Sequence, residues 1–218
     1  MLPRAKTDGL NSISSREFEW TQAGTSDSHN YLALPTIGLL KRFGARTVLD
    51  LGCGNGAFTG LVAASGFLVH GCDASSSGIQ IARVAFPEIP LFQHDLSESL
   101  PSGHHCAYDA VVSVEVIEHL LLPRTLMTNA FQALRPGGVF IVSTPFHGYW
   151  KNLALAITNK FDNHWHPLRD YGHVKFFSKR TLFQLFVESG FQVKVWLAAG
   201  RTRLMPCSMI VAAQKPDR

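Results

Sequence analysis

Short runs of continuously apolar residues alternate along the chain with stretches whose apolar positions recur at helical spacing. The runs predict five strands, at residues 47–51, 67–73, 91–95, 109–115 and 139–143. Between the strands, positions such as Leu126, Ala130 and Leu134 follow one face of a helix, and a further helix is predicted at residues 32–43. Strands that are apolar throughout and separated by helices indicate a parallel sheet covered on both faces.

The last third of the chain departs from this alternation. A helix that ends at Gly190 is followed by two predicted strands, 191–197 and 206–213, joined by a short link around residues 200–202. Parallel neighbours need a crossover of about a dozen residues or more, so this link predicts an antiparallel pair.

A chain of 218 residues is long enough for one hydrophobic core and short for two. We therefore predict one domain at residues 31–218, an α/β fold of doubly wound type with helices on both faces of a mostly parallel sheet. Residues 1–30 are predicted to form an N-terminal arm or lid. Residues 145–177, rich in aromatic side chains and histidine, follow the fifth strand and are predicted to cover the substrate as an inserted lid.

Charge and cysteine content narrow the possible partners. The net charge of +4 is small and the basic residues are scattered, so nucleic acid is not an expected partner. The four cysteines have no CxxC or other metal spacing, which favours free thiols in a reducing compartment. No apolar run approaches the ~20 residues that cross a bilayer. We expect a soluble, cytoplasmic protein without a membrane span, and the sequence leaves its oligomeric state open.

A glycine-rich loop follows the first strand, with the pattern Gly52-x-Gly54-x-Gly56 before a helix. Glycines there let the backbone approach a ligand closely. Asp73 ends the next strand, where a carboxylate can accept both ribose hydroxyls of an adenosine moiety. Because Ala57 completes the dinucleotide pattern GxGxxG/A, an NAD-linked oxidoreductase is a genuine rival.

Three features favour S-adenosylmethionine over NAD. Asp50 precedes the first glycine, where it would repel a pyrophosphate but attract a sulfonium and an ammonium group. Asp95 ends the third strand and can accept a hydrogen bond from an adenine amino group. The antiparallel ending is unlike a dinucleotide domain, whose strands are all parallel.

These motifs resemble those of the Rossmann-like S-adenosylmethionine-dependent methyltransferases. The resemblance rests on residues 48–56, 115–120, 134–138 and 143–145, and it covers roughly residues 30–213. Within the superfamily, these motifs are similar to those of the branch that contains the ubiquinone-biosynthesis O-methyltransferases. The resemblance implies a seven-stranded sheet whose last strand is antiparallel. By position, it also implies cofactor contacts with the methionine part from Asp50, Gly52, Gly54 and Glu115, with the ribose from Asp73, and with the adenine from Asp95 and Leu96.

Glu115, Glu118 and His119 are spaced i, i+3 and i+4, which on a helix puts them on one face. Two carboxylates that close repel unless a cation or a shared proton lies between them. The O-methyltransferase branch and the similar small-RNA 2′-O-methyltransferases imply a divalent ion here, the latter with a further histidine that matches His173. Such ligands suit Mg, Mn or Zn without choosing among them. Metal-free base catalysis and structural anchoring of the loop remain alternatives.

The predicted reaction is an in-line displacement in which an acceptor oxygen attacks the methyl carbon of the cofactor. His119 is the first candidate for the base that removes the acceptor's proton, and His147 is the second. The aromatic residues of the predicted lid favour a small apolar or phenolic methyl acceptor. An RNA 2′-O-methyltransferase, an NAD-linked oxidoreductase and a non-catalytic relative of the fold are the alternatives.

Overall fold

The structure is a computed structural model that describes residues 19–22, 24–165, 168, 172–200 and 206–217. Its single sheet has seven strands in the order β3-β2-β1-β4-β5-β7-β6. The strands are β1 Thr47–Leu51, β2 Leu68–Asp73, β3 Leu91–Gln93, β4 Tyr108–Val114, β5 Leu134–Pro145, β6 Gln192–Ala199 and β7 Ser208–Gln214. Strands β1 to β5 pair in parallel, and β7 runs antiparallel to β5 and to β6. The predicted doubly wound sheet with an antiparallel ending is confirmed.

Seven α-helices accompany the sheet in the described part of the chain. They are α1 His29–Arg42, α2 Ala57–Ala64, α3 Ser76–Ala85, α4 Pro123–Ala133, α5 Tyr149–Ile157, α6 Phe161–Trp165 and α7 Lys179–Glu188. None of these helices is long and apolar enough to span a membrane.

Both faces of the sheet are buried, which accounts for the apolar runs in the sequence. Val111 and Val112 are adjacent in β4 and fully buried, yet they belong to two different hydrophobic clusters. The first cluster joins β4 to α4 and α7, and the second joins it to α1, α2 and α3. Because successive side chains of a strand point to opposite faces, a strand buried on both sides has no polar alternation.

Several predicted boundaries shift by a few residues. The first helix begins at His29 rather than at residue 32, and β3 ends at Gln93 rather than at residue 95. Strand β5 begins at Leu134, five residues early, because that residue already pairs with Tyr108 before a register shift. Residues 1–18 of the predicted arm, residues 166–167 and 169–171 of the predicted lid, and 201–205 of the link between β6 and β7 lie outside the described residues.

Candidate active site

The carboxyl ends of β1 and β2 position the glycine-rich loop. The N–H groups of Gly52 and Cys53 both donate to the Cys72 carbonyl in β2, at 2.8 and 2.9 Å. Gly52 has φ +84°, and a Cβ there would lie 2.5 Å from Val116 Cγ2. Gly54 has φ +53°, and a Cβ there would overlap the ring of Trp20. Left-handed backbone and close neighbours together explain why these positions are glycine.

Asp73 lies at the end of β2, where it was predicted to bind the ribose. Its Oδ2 accepts a hydrogen bond from the Gly54 N–H and its Oδ1 accepts one from the Ser75 N–H, both at 2.8 Å. These bonds tie the glycine loop to the start of α3 and fix the orientation of the carboxylate. The structure thus brings Asp73 and the glycine-rich loop together, while the contact of Asp73 with the ribose stays a prediction.

Asp50 lies beneath the loop, in β1, with 1% of its surface exposed. Its Oδ2 accepts a hydrogen bond from Thr59 Oγ1 in α2 at 2.7 Å. Burial raises the pKa of Asp50 to about 7, against the lowering effect of the Thr59 hydrogen bond. A carboxylate that is costly to ionise in isolation favours a cation beside it.

The predicted adenine-binding residues follow β3. Asp95 is exposed and its Oδ1 accepts a hydrogen bond from the Ser97 N–H at 2.8 Å, whereas Leu96 is buried. The buried Asn129 of α4 holds this loop: its Nδ2 donates to the carbonyls of Leu96 and Glu98, at 3.2 and 2.8 Å. The position of the loop therefore depends on a side chain about 30 residues away along the chain.

The predicted helical face of Glu115, Glu118 and His119 does not form. Glu115 follows β4 with φ +56°, in the left-handed region, and only Ile117–His119 makes a short 3₁₀ turn. A glutamate pays a steric penalty in that region, so the surrounding hydrogen bonds must hold it there. The shared helical face is absent because the chain leaves β4 by a turn at Glu115, before the 3₁₀ turn begins.

Glu115 instead enters a polar group at the ends of β4, β5 and β7. Its Oε1 accepts a hydrogen bond from Ser143 Oγ at 2.9 Å, and its Oε2 accepts one from Ser208 Oγ at 3.3 Å. Burial raises the pKa of Glu115 to about 7, with the two serines and Lys151 acting in the opposite direction. Its predicted contact with the methionine end of the cofactor stays a prediction.

Three of the four predicted metal ligands come together. Ligand atoms of Glu118, His119 and His173 lie within 4.8 Å of one another, and Glu115 is not in this group. Glu118 is buried; its Oε2 accepts a hydrogen bond from Thr144 Oγ1 at 3.0 Å, while its Oε1 has no hydrogen-bond partner. Burial and the charge of Glu115 raise its pKa. A buried carboxylate oxygen without a partner fits a site for a proton or a cation.

The chain segment that carries His173 is fixed against the 3₁₀ turn. The N–H groups of Val174 and Lys175 donate to the Glu118 carbonyl at 2.9 and 3.0 Å. His119 Nδ1 lies 3.3 Å from the Gly172 carbonyl. Since a carbonyl only accepts, Nδ1 carries the proton in this contact, and Nε2 keeps its lone pair. An imidazole in this tautomer can take a proton or bind a metal through Nε2.

His147, the second candidate base, stands after β5 among aromatic rings. Its ring centroid is 5.2 Å from that of Phe176 and 6.4 Å from that of Trp165, both in edge-to-face geometry. Trp165 also packs on Phe161 of the same helix α6, at 4.8 Å between centroids. His147 is thus part of an aromatic wall in the segment predicted to form the substrate lid.

The sequence did not identify three residues that support this site. Asn129 interrupts the apolar face of α4 between Leu126 and Ala130, and a polar residue at such a position was the available signal. Thr59 contacts Asp50 of β1 from the first turn of α2, and Ser208 contacts Glu115 from 93 residues away along the chain. No local pattern reveals these two contacts.

Comparison with known proteins identifies the family of this chain. Residues 22–194 match the model of a methyltransferase domain family. A ubiquinone biosynthesis O-methyltransferase of Ruegeria pomeroyi is 29% identical over 160 residues, which are 72% of this chain and 64% of that protein. The chain thus spans a little under two thirds of this relative's length.

Two solved structures share the fold at low sequence identity. Magnesium protoporphyrin IX methyltransferase from Synechocystis PCC 6803, solved with bound S-adenosylhomocysteine, is 19% identical with a TM-score of 0.65, covering 84% of this chain and 81% of that one. The [4+2]-cyclase SpnF is 16% identical with a TM-score of 0.68, covering 92% and 86%. From the family match over most of its length, the chain belongs to the methyltransferase domain family.

Proposed function

We propose that this protein transfers the methyl group of S-adenosylmethionine to a hydroxyl group of a small apolar or phenolic acceptor. The observation that carries the proposal is the buried Asp50 beneath a left-handed glycine loop that Asp73 holds in place. A carboxylate at that depth attracts the sulfonium and ammonium groups of the cofactor and would repel the pyrophosphate of NAD. Membership of the methyltransferase domain family supports the same cofactor.

Methyl transfer needs little covalent help from the protein, because the sulfonium already activates the methyl group. The acceptor oxygen attacks the methyl carbon, the carbon–sulfur bond breaks, and S-adenosylhomocysteine leaves with the bonding electron pair. The protein must align oxygen, carbon and sulfur, a contribution that reaches ~7–11 kcal/mol in ideal cases. It must also accept the hydroxyl proton, and we assign this role to the imidazole of His119, whose Nδ1 donates to the Gly172 carbonyl when Nε2 is the basic nitrogen.

Two observations support the acceptor class. His147, Trp165 and Phe176 form an apolar aromatic wall after β5, which suits an aromatic or apolar molecule better than a highly charged one. The relative from Ruegeria pomeroyi is named as an O-methyltransferase. We therefore propose oxygen, and not nitrogen or carbon, as the acceptor atom.

A second candidate keeps the same reaction but adds a divalent ion. Glu118, His119 and His173 would hold it through one carboxylate oxygen and two imidazole nitrogens, a donor set that suits Mg, Mn or Zn. The unpartnered Glu118 Oε1 and the Nε2 lone pair of His119 fit such an ion. When bound, it would lower the pKa of the acceptor hydroxyl directly. His119 would then be a ligand and could not act as the base.

A methyl-transfer assay tests the proposed function. Purified protein is incubated with S-adenosylmethionine labelled in its methyl group and with phenols, hydroxy acids, aliphatic alcohols or a short RNA. We expect label on the phenols or apolar hydroxyl compounds, loss of it in His119→Gln, and wild-type rates in His105→Gln. His105 is exposed and precedes the amino end of β4, whereas the 3₁₀ turn follows the carboxyl end of that strand. Label transferred to RNA alone, or to no acceptor while the cofactor binds, contradicts the proposal.

Chelation separates the metal-dependent reaction from the metal-free one. If a divalent ion is required, excess chelator abolishes turnover and added Mg, Mn or Zn restores it, while Glu118→Gln lowers the affinity for that ion. Glu98→Gln, an exposed carboxylate on the loop after β3, is the matched control. Full activity in excess chelator rules out a required divalent ion and leaves His119 as the first candidate base, ahead of His147.

A further inference from the structure

The chain just before α1 crosses the glycine-rich loop. Residues 19–22 and 24, here called the strap, are held by the buried side chain of Asn55, which is 3% exposed. Its Nδ2 donates to the carbonyls of Gln22 and Gly24 at 3.1 and 3.0 Å, so both amide hydrogens hold the strap. Its Oδ1 accepts a hydrogen bond from the Ala57 N–H at 3.2 Å, inside the loop itself.

The indole of Trp20 is the part of the strap that meets the loop. It fills the space over Gly54, and a Cβ at Gly78 would lie 2.9 Å from its Cδ1. The backbone N–H of Trp20 donates to Ser77 Oγ at 3.0 Å, which anchors the strap to the start of α3. These are the elements that Asp73 joins through its bonds to Gly54 and Ser75. The indole therefore stands beside the carboxylate to which the proposed function assigns the ribose.

We propose that Trp20 closes over the adenosyl end of the bound cofactor and that Asn55 latches the strap that carries it. This inference rests on the proposed function. An indole is a large, rigid apolar surface, and excluding water strengthens the hydrogen bonds between Asp73 and the ribose. A strap held by a few hydrogen bonds opens locally far more readily than the sheet unfolds. Cofactor exchange then requires this opening, and the strap sets the release rate.

The test measures binding and release of S-adenosylhomocysteine in the full-length protein. Trp20→Ala removes the indole, and we expect about tenfold faster release and about tenfold weaker affinity. Trp20→Phe keeps a ring over the glycines and should recover most of the affinity. Asn55→Asp keeps the acceptor for Ala57 but loses both donors to the strap, so it should also speed release. Trp150→Ala, whose side chain is 78% exposed on α5, should change neither quantity.

A spectroscopic readout separates cofactor contact from a purely structural role. Cofactor should change the tryptophan fluorescence of the wild type, and most of this change should be missing in Trp20→Phe. Melting temperatures of the ligand-free variants identify any that fail to fold, and Trp20→Phe and Asn55→Asp then carry the test. If the wild type binds cofactor while Trp20→Ala and Asn55→Asp release it at the wild-type rate, the strap has no such role. A wild type that binds neither S-adenosylmethionine nor S-adenosylhomocysteine overturns the proposed function and this inference together.

Discussion

Asp50 shows how a single buried carboxyl group can link protonation to cofactor binding. Burial raises its pKa to about 7, from about 4 in an unfolded chain. Between about pH 4 and pH 7, Asp50 therefore stays protonated in the folded protein but is ionised in the unfolded chain. The stabilisation from this group is therefore complete below about pH 4 and is lost as the pH rises through about 7. An ammonium group beside Asp50 would reverse the effect by favouring the ionised form.

This reversal predicts a pH-dependent affinity. Binding of S-adenosylhomocysteine should release a proton from Asp50 below about pH 7, so its affinity should rise by up to about tenfold per pH unit between about pH 5 and 7 and level off above. Calorimetry in buffers of different ionisation enthalpy measures both affinity and proton release. Asp50→Asn should bind more weakly and lose this component of the slope. An unchanged slope in that variant would assign the proton to another group, such as Glu115.

A separate prediction concerns Asp73, which binds the glycine-rich loop and is also proposed to bind the ribose. Asp73→Ala should weaken S-adenosylmethionine binding by about tenfold or more, since charge-assisted hydrogen bonds to the hydroxyls are lost. The control Glu88→Gln, which changes an exposed carboxylate before the amino end of β3, should bind normally. Calorimetry decides the matter, and wild-type affinity in Asp73→Ala would remove the ribose assignment.

At the scale of elements, α4 supports the loop after β3, which is predicted to bind the adenine, through one side chain. Asn129 is fully buried, donates to the carbonyls of Leu96 and Glu98, and accepts from the Leu100 N–H at 3.2 Å. Replacing it with leucine, of similar size, would leave three backbone groups without partners. We expect Asn129→Leu to lower the free energy of unfolding by about 2–4 kcal/mol. Denaturant titration measures this, and the exposed control Thr128→Ala should stay within about 0.5 kcal/mol of wild type.

Some elements of the fold could be predicted from the sequence and others could not, because only some are determined by local patterns. Strands β1 and β4 are buried on both faces, so successive positions such as residues 48–49 and 110–112 are apolar, without polar alternation. The geometry after β4 is different, because residues 115–119 fit either a helix or a turn by spacing alone. The left-handed Glu115 is stabilised by Ser143 and Ser208, contacts that depend on how β5 and β7 assemble. The local sequence pattern identified Glu115, Glu118 and His119 as chemically important but could not predict their positions relative to one another.

At the scale of the whole molecule, the fold does not determine the reaction. A methyltransferase and a [4+2]-cyclase both share it with this chain at TM-scores of 0.65 and 0.68. A fold of this kind supplies a sheet edge at which ligands bind, and the side chains at that edge supply the chemistry. We therefore expect cofactor choice to depend on Asp50, Asp73 and the loop between β1 and α2.

Global stability offers a test of cofactor choice that needs no knowledge of the acceptor. A ligand that binds only the folded state at about 100 times its Kd adds about 2.7 kcal/mol to the free energy of unfolding. For a chain of this length that corresponds to about 5–10 °C in Tm. We expect this shift with S-adenosylhomocysteine, a smaller one in Asp73→Ala, and none with NADH. Because Asp50 would lie against a pyrophosphate in the NAD complex, stabilisation by NADH in preference to S-adenosylhomocysteine would mean that the buried carboxyl group has been assigned to the wrong cofactor.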